Sequence, residues 1–247
     1  MSVATLNRAV VTDLKRHADP AHAEKDKRYH KYDGYKSYGI RAPELDRLLK
    51  AFKADILELS CSEAMRLAEA LYRSRIEEQL HAGAYALALK ADCLELPKRA
   101  AYLDRLANSF MSWSTVDNFC ARVLQPLLMK YPEPAIKLLR KWNGSRNIRN
   151  MWKQRASAVA FTRKVGESGQ FSAAGLELCD NLAGSSEDLI QKAVGWALKD
   201  LMRGDKRKVL AHVKKLRRQG APATITLYAI RDLKGLERDA VLKIKRK

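Results

Sequence analysis

The sequence is poor in the residues that mark metal-binding, disulfide-rich or low-complexity proteins. Its 247 residues include only 4 cysteines, 7 prolines and 12 glycines. The cysteines form no CxxC pair and have no histidine nearby at metal-ligand spacing, which argues against a zinc site and against a disulfide framework. We therefore expect four small core residues in a reducing compartment.

Long apolar runs are also missing. The N-terminal residues lack the apolar segment of a signal peptide, and no stretch reaches the roughly 18 apolar residues of a membrane span. Hydrophobic residues still make up 47% of the chain, too many for general disorder. These features predict a soluble cytoplasmic protein with one domain over residues 1–247. For the basic tail at about 243–247, disorder and phosphate binding both stay open.

Acidic residues are scarce in the second half of the chain. Residues 1–123 carry 20 basic and 17 acidic side chains, whereas residues 124–247 carry 27 basic and 11 acidic ones. No acidic residue lies between Glu133 and Glu167. Solvated helix faces are the simpler explanation of such runs. A nearly neutral half beside a strongly basic half nevertheless favours a surface that binds a polyanion.

Strand signals are almost absent, and apolar residues recur at helical spacing, for example in residues 62–73 and 188–202. Two Ser-x-x-acid patterns, at Ser60 and Ser185, resemble the capping boxes that start helices. Four prolines fit the first turn of a helix: Pro20, Pro43, Pro97 and Pro132. The fold class predicted is all-α.

Four similar segments begin 37 residues apart, at Glu77, Ser114, Met151 and Asp188. This period is close to two helices and two turns, as in HEAT-like helical-pair repeats. The pattern predicts helical pairs stacked into a curved solenoid with a basic concave groove, which would suit a DNA duplex. Chance similarity among Ala- and Leu-rich helices is the alternative. Polar residues at equivalent repeat positions would line this groove: Asp117, Gln154, Arg155, Gln191 and Lys192.

A carboxylate and an indole stand four residues apart at Trp113 and Asp117, so they share one face of a helix. From composition alone, a salt bridge to Arg155 or a helix-dipole contact explains Asp117 better than a catalytic role does. An indole inside an apolar helix, as at Trp196, is usually a core residue.

Taken together, four segments resemble the DNA alkylation repair family of HEAT-like, AlkD-like alkylpurine DNA glycosylases. They occur in the family's order and at similar spacing: Lys27–Leu49, Ser112–Phe119, Met151–Val159 and Ile190–Leu201. The motifs are KRYHKYDGYKSYGIRAPELDRLL, SWSTVDNF, MWKQRASAV and IQKAVGWALKDL. Between them they extend from about residue 20 to residue 203.

The resemblance implies a monofunctional glycosylase that excises cationic N3- and N7-alkylated purines, such as 3-methyladenine and 7-methylguanine, from duplex DNA. It implies no metal, no cofactor and no lyase step. The implied catalytic residues are Asp117, Trp113 and Trp196, with Arg155 on a phosphate and Tyr29 near the same nucleotide. The basic and polar residues around Arg155 complete the expected DNA contacts: Arg149, Lys153, Gln154, Gln191 and Lys192.

This chemistry suits the residue types. An alkylated purine already carries positive charge and needs no general acid to leave, while a carboxylate stabilises the oxocarbenium character of the sugar. Indole faces favour a developing cation. We expect a monomer that binds double-stranded DNA, associates with the nucleoid when bound, and has no membrane partner.

Three other functions remain open from the sequence. They are a non-catalytic HEAT-like DNA-binding protein, a glycosylase specialised for bulky alkyl adducts, and a helical scaffold for protein interactions. Retention of Asp117 with both tryptophans favours the enzyme. One segment departs from the family pattern, because residues 219–233 lack the basic residue expected near the start of a helix there. The last repeat is therefore not assigned phosphate contacts.

Overall fold

The computed structural model describes residues 1–30, 34–144 and 151–245, and over these residues the chain is helical with no β-strand. The all-α prediction is confirmed. The chain forms two compact units, Met1–Tyr131 and Pro132–Lys247, which we call the first and the second unit. The prediction of a single domain stays a prediction. In the described ranges, no helix is both long and apolar enough to cross a membrane.

The first unit contains nine helices in its described part. They are α1 Val3–Arg16, α2 Pro20–His30, α3 Ala42–Ala51, α4 Lys53–Glu58, α5 Cys61–Arg73, α6 Glu77–Leu89, α7 Ala100–Ala107, α8 Trp113–Phe119 and α9 Gln125–Lys130. A 3₁₀ turn at Ala91–Cys93 follows α6, and a π-helical turn at Cys120–Leu124 joins α8 to α9.

The second unit contains eight helices in its described part. They are α10 Pro132–Asn143, α11 Met151–Val159, α12 Arg163–Glu167, α13 Ser172–Leu182, α14 Asp188–Gly204, α15 Lys206–Arg218, α16 Ala223–Ala229 and α17 Gly235–Leu242.

Helical spacing of apolar residues builds the core of the first unit. In α1, Leu6, Val10 and Leu14 recur every four residues and are fully buried. They belong to one hydrophobic cluster with apolar residues of α3, α5 and α6. The capping box predicted at Ser60 is present, since its hydroxyl accepts from the N–H of Glu63 and the Glu63 carboxylate accepts from the N–H of Ser60. By contrast, α2 has no buried residue.

The 37-residue spacing reappears in the helix starts. Three helices, α6, α11 and α14, begin at the first residues of three of these segments, and α8 begins one residue before the fourth, at Trp113. Polar contacts within each unit often join residues about one period apart, as in the Arg140–Glu177 ion pair at a separation of 37. Such contacts join elements that lie about one period apart in the sequence. The curvature of the solenoid and its basic groove stay predictions.

The prediction of four core thiols is wrong for one pair, because Cys61 and Cys93 form a disulfide with a Cα–Cα distance of 5.3 Å. Cys61 begins α5 and Cys93 lies in the turn after α6, and packing of α5 against α6 brings these two ends together. A separation of 32 residues without a CxxC pattern gives no sequence signal for this pairing. Cys120 and Cys179 are buried free thiols, as expected.

Two predicted helix starts are also wrong. Helix α14 begins at Asp188 with Glu187 at its N-cap and has no capping box, because the Ser185 hydroxyl accepts from the N–H of Glu187 in a turn that ends before the helix. Pro97 lies in a turn that precedes α7, which begins only at Ala100. The other three prolines stand in the first turns of α2, α3 and α10, as predicted.

Candidate functional site

Helix α8 places Trp113 and Asp117 one turn apart. Ser112 caps the helix, accepting at its hydroxyl from the Thr115 N–H at 3.1 Å, while the Thr115 hydroxyl accepts from the Ser112 N–H at 3.2 Å. Trp113, the first helical residue, is partly exposed, and Asp117 is 9% exposed. The local sequence SWSTVD therefore encodes a helix cap, an accessible indole and a nearly buried carboxylate in that order.

The helix changes pitch three residues after Asp117, where α8 ends at Phe119. In the π-helical turn at Cys120–Leu124, the N–H of Gln125 donates to the carbonyl of Cys120, five residues back. Pro126 follows, and its ring lacks an N–H and would clash with the carbonyl of Arg122 in a regular α-helix. The proline thus accounts for the π turn, a feature that often marks functional sites.

Aromatic rings surround Trp113. The His30 imidazole is stacked between Tyr35, with ring centres 4.1 Å apart, and Trp113, with ring centres 5.2 Å apart. The Tyr29 ring meets Trp113 edge-on at 6.1 Å and is 71% exposed. The structure thus brings Tyr29, Trp113 and Asp117 into one region of the first unit. Sequence reasoning missed His30, although it follows Tyr29 in the KRYHKY segment.

Glu77 connects this ring cluster to the start of α8. Its carboxylate accepts from the Ser112 hydroxyl at 2.9 Å, and its charge acts on the Tyr35 hydroxyl. Burial raises the pKa of Tyr35, and the charge of Glu77 raises it further. Burial lowers the pKa of His30, against the opposite influence of Glu77 and Asp26. The stacked imidazole is therefore neutral at pH 7.

The indole of Trp196 in the second unit lies under a guanidinium. The central carbon of the Arg163 guanidinium is 4.9 Å from the centre of the Trp196 ring, and Trp196 is partly exposed rather than a core residue. Arg163 has a φ of +56°, a strained conformation for a residue with a Cβ. Its N–H donates to the carboxylate of Asp200 at 2.7 Å, and Lys199 lies 3.0 Å from the other oxygen of this buried group. Sequence reasoning missed Arg163 and Asp200.

The candidates on α11 are more deeply placed than expected. Arg155 is buried and donates to the carbonyl of Leu189 at 2.6 Å, which joins α11 to the start of α14. Lys153 is also buried, with its ammonium 6.0 Å from the centre of the Trp142 ring, and Gln154 is partly exposed. Their assignment as DNA contacts stays a prediction.

The candidates at the start of α14 are engaged locally. Lys192 is exposed and forms an ion pair with Asp188 at 2.7 Å, one turn earlier. Gln191 donates to the carbonyl of Ser185 at 2.9 Å. Trp196 lies one turn after Lys192 on the same helix. Arg149, the remaining candidate, lies outside the described residues.

Metal-ligating side chains are not clustered in the part of the chain that the structure describes. Over those residues, no group of three or more His, Cys, Asp or Glu side chains is arranged to hold a metal ion.

Comparison with known proteins assigns the family. Residues 10–233 match the family model of DNA alkylation repair enzymes. The fold is similar to that of a solved protein from Enterococcus faecalis, described as a predicted DNA alkylation repair enzyme, with a TM-score of 0.72 and 16% sequence identity over 88% of this chain and 97% of that one. No curated protein sequence matches the chain significantly. Because the family model covers most of its length, the chain belongs to the family of DNA alkylation repair enzymes.

Proposed function

We propose that the chain is a monofunctional alkylpurine DNA glycosylase that hydrolyses the N-glycosidic bond of cationic N3- and N7-alkylated purines in duplex DNA. Family membership supports a role in DNA repair. The observation that carries the proposal is on α8, where the nearly buried carboxylate of Asp117 lies one turn from the accessible indole of Trp113. A carboxylate can stabilise the positive charge that develops on the sugar, and an aromatic face can stabilise a neighbouring cation.

The proposed reaction breaks the bond between the sugar C1′ and the purine nitrogen. The bonding electrons leave with the purine, which thereby becomes neutral, and positive charge develops on the sugar. Asp117 stabilises that charge and orients a water molecule, whose oxygen bonds to C1′ and whose proton passes to the carboxylate or to solvent. The products are the free base and an abasic sugar. The Trp113 face stabilises the cation that forms next to it.

The charge distribution supports binding to a polyanion. The second half of the sequence holds 16 more basic than acidic side chains. Several of its cations are already paired with carboxylates, for example Arg140 with Glu177 and Lys206 with Glu237. Arg163 is exposed, and its guanidinium forms no ion pair with any described residue. We propose that such cations bind the phosphates of double-stranded DNA, and that one copy of the chain is sufficient for activity.

The test is release of 7-methylguanine and 3-methyladenine from methylated duplex DNA under single-turnover conditions. Asp117→Asn keeps the size of the side chain and removes its charge, so we expect base release to fall by about 100- to 1000-fold. Duplex affinity should change by less than about threefold, because a carboxylate contributes little attraction to DNA. Asp92→Asn, which removes an exposed carboxylate paired with Lys130, is the matched control and should behave like the wild type.

Two results would contradict this proposal. Full activity in Asp117→Asn would remove Asp117 from the mechanism. No release by the wild type, together with tight and salt-sensitive duplex binding, would favour a non-catalytic DNA-binding protein instead.

A further inference from the structure

We propose that His30 is a positioning residue that fixes the plane of the Trp113 indole. The consequence for base release rests on the proposed function, whereas the positioning itself is a property of the folded chain. The inference starts from the ring stack, since one face of the imidazole meets Tyr35 and the other meets Trp113, at interplanar angles of 16° and 21°. A ring held between two nearly parallel rings restricts the orientation of both.

Different interactions hold the backbone and the side chain of Trp113. Ser112 and Thr115 cap α8, and Glu77 accepts from the Ser112 hydroxyl, so the helix start is fixed by hydrogen bonds. These bonds fix the Trp113 backbone but leave the rotation of its side chain free. The stack with His30 and the edge contact with Tyr29 act on the ring itself. Removing the imidazole should therefore loosen the indole without unfolding α8.

Helix α2, which carries His30, is fixed firmly near its start. The N–H of Asp19 donates to the carbonyl of Tyr38 at 2.8 Å, and Gly39, with a φ of +77°, lets the backbone pass against Asp19 and Ala23 where a Cβ would clash. With none of its residues buried, α2 contributes little to the hydrophobic core. The rings at its C-terminal end lie outside the hydrophobic core, and their contacts are those with the neighbouring rings, the Trp113 indole included.

The chemistry of the imidazole fits this role. Partial burial lowers the pKa of His30, although Glu77 and Asp26 act in the opposite direction. A neutral ring beside Trp113 adds no positive charge where a cationic purine would bind, whereas a Lys or Arg in the same place would repel it. An imidazole therefore supplies a flat stacking surface without that electrostatic cost.

The experiment uses three variants of the full chain. His30→Leu introduces an apolar side chain of similar volume that has no flat face, and His30→Phe restores an aromatic ring. His22→Leu is the matched control, because His22 lies on the same helix and pairs with Asp26 rather than with Trp113. Each variant is compared with its own Trp113→Phe derivative by near-UV circular dichroism. The difference spectrum reports the orientation of Trp113 alone.

We expect the Trp113 difference signal to be largely lost in His30→Leu and retained in His30→Phe and His22→Leu. Single-turnover base release should fall by about tenfold in His30→Leu, recover to within about twofold in His30→Phe, and leave duplex Kd within about twofold throughout. If only the volume of the side chain at position 30 mattered, His30→Leu and His30→Phe would give the same signal and the same rate of base release.

Other outcomes separate the two proposals. An unchanged Trp113 signal in His30→Leu, or an equal loss in His30→Leu and His30→Phe, overturns the positioning role. Absence of base release by the wild type overturns the proposed function alone, because the spectroscopic comparison still decides whether His30 orients Trp113.

Discussion

The two candidate catalytic tryptophans are held by different kinds of contact. In the first unit, Trp113 is stacked on a neutral imidazole, and a hydrogen-bonded cap fixes its helix. In the second unit, Trp196 lies under the Arg163 guanidinium, whose backbone is held by the buried charge of Asp200. Trp113 thus contacts a neutral ring, whereas Trp196 contacts a cationic guanidinium.

The difference shows how one side-chain type can be adapted to two electrostatic settings. Stacking and hydrogen bonding in the first unit involve few net charges, so they should respond weakly to salt. The contacts around Trp196 are those of a charged cluster in which Lys199 and Arg203 also lie close to Asp200. Substitutions in that cluster should therefore cost more free energy than substitutions on the surface nearby.

The largest effect should follow Asp200→Ala. It leaves the Arg163 N–H without its acceptor and Lys199 without its nearest buried partner, which should cost about 3 kcal/mol in the free energy of unfolding. Urea denaturation measures the loss, and hydrogen exchange on the full chain should locate it in the second unit. Asp188→Ala, on the same helix but in an exposed pair with Lys192, should cost less than about 0.5 kcal/mol. Equal costs for the two variants would mean that burial of Asp200 does not matter.

A smaller effect, a loss of stability at acidic pH, should distinguish the first unit from the second. Burial lowers the pKa of His81 to about 4, and its ring is hydrogen-bonded to the Ser114 hydroxyl beside Trp113. Below about pH 6.5 His81 binds a proton in the unfolded chain, whereas in the folded chain it stays unprotonated until about pH 4. The free energy of unfolding therefore falls as the pH drops from 6.5 towards 4. Between pH 7.5 and 5 the loss from this group should be about 2 kcal/mol.

Urea denaturation at both pH values tests this expectation. His81→Gln should flatten the pH dependence by about the same 2 kcal/mol, because the amide does not titrate. His212→Gln is the matched control in the second unit, where burial also lowers the histidine pKa but Asp180 opposes the shift. A dependence unchanged by His81→Gln would show that this histidine is not responsible.

The sequence was most informative where the signal is local. Apolar periodicity predicted the helices, the Ser60 pattern predicted a helix cap, and a spacing of four residues placed Trp113 and Asp117 on one face. The surroundings of the two indoles depend instead on contacts between residues distant in sequence. The stack on His30, the guanidinium over Trp196 and the Cys61–Cys93 disulfide require the packed structure. Side-chain identity alone could not distinguish them from the many other aromatic, basic and thiol groups.

The smallest effect should come from Arg163→Gln. The guanidinium is exposed and pairs with no carboxylate among the described residues, so it is available to a DNA phosphate. If it binds one, the slope of log affinity for duplex DNA against log salt should decrease by about 0.9, with only a few-fold loss of affinity at moderate salt. Lys164→Gln removes the same charge one residue away and leaves Arg163 over the Trp196 ring. A change in Trp196 fluorescence for Arg163→Gln but not for Lys164→Gln would confirm the cationic support, whereas identical behaviour of the two variants would reduce Arg163 to one charge among many.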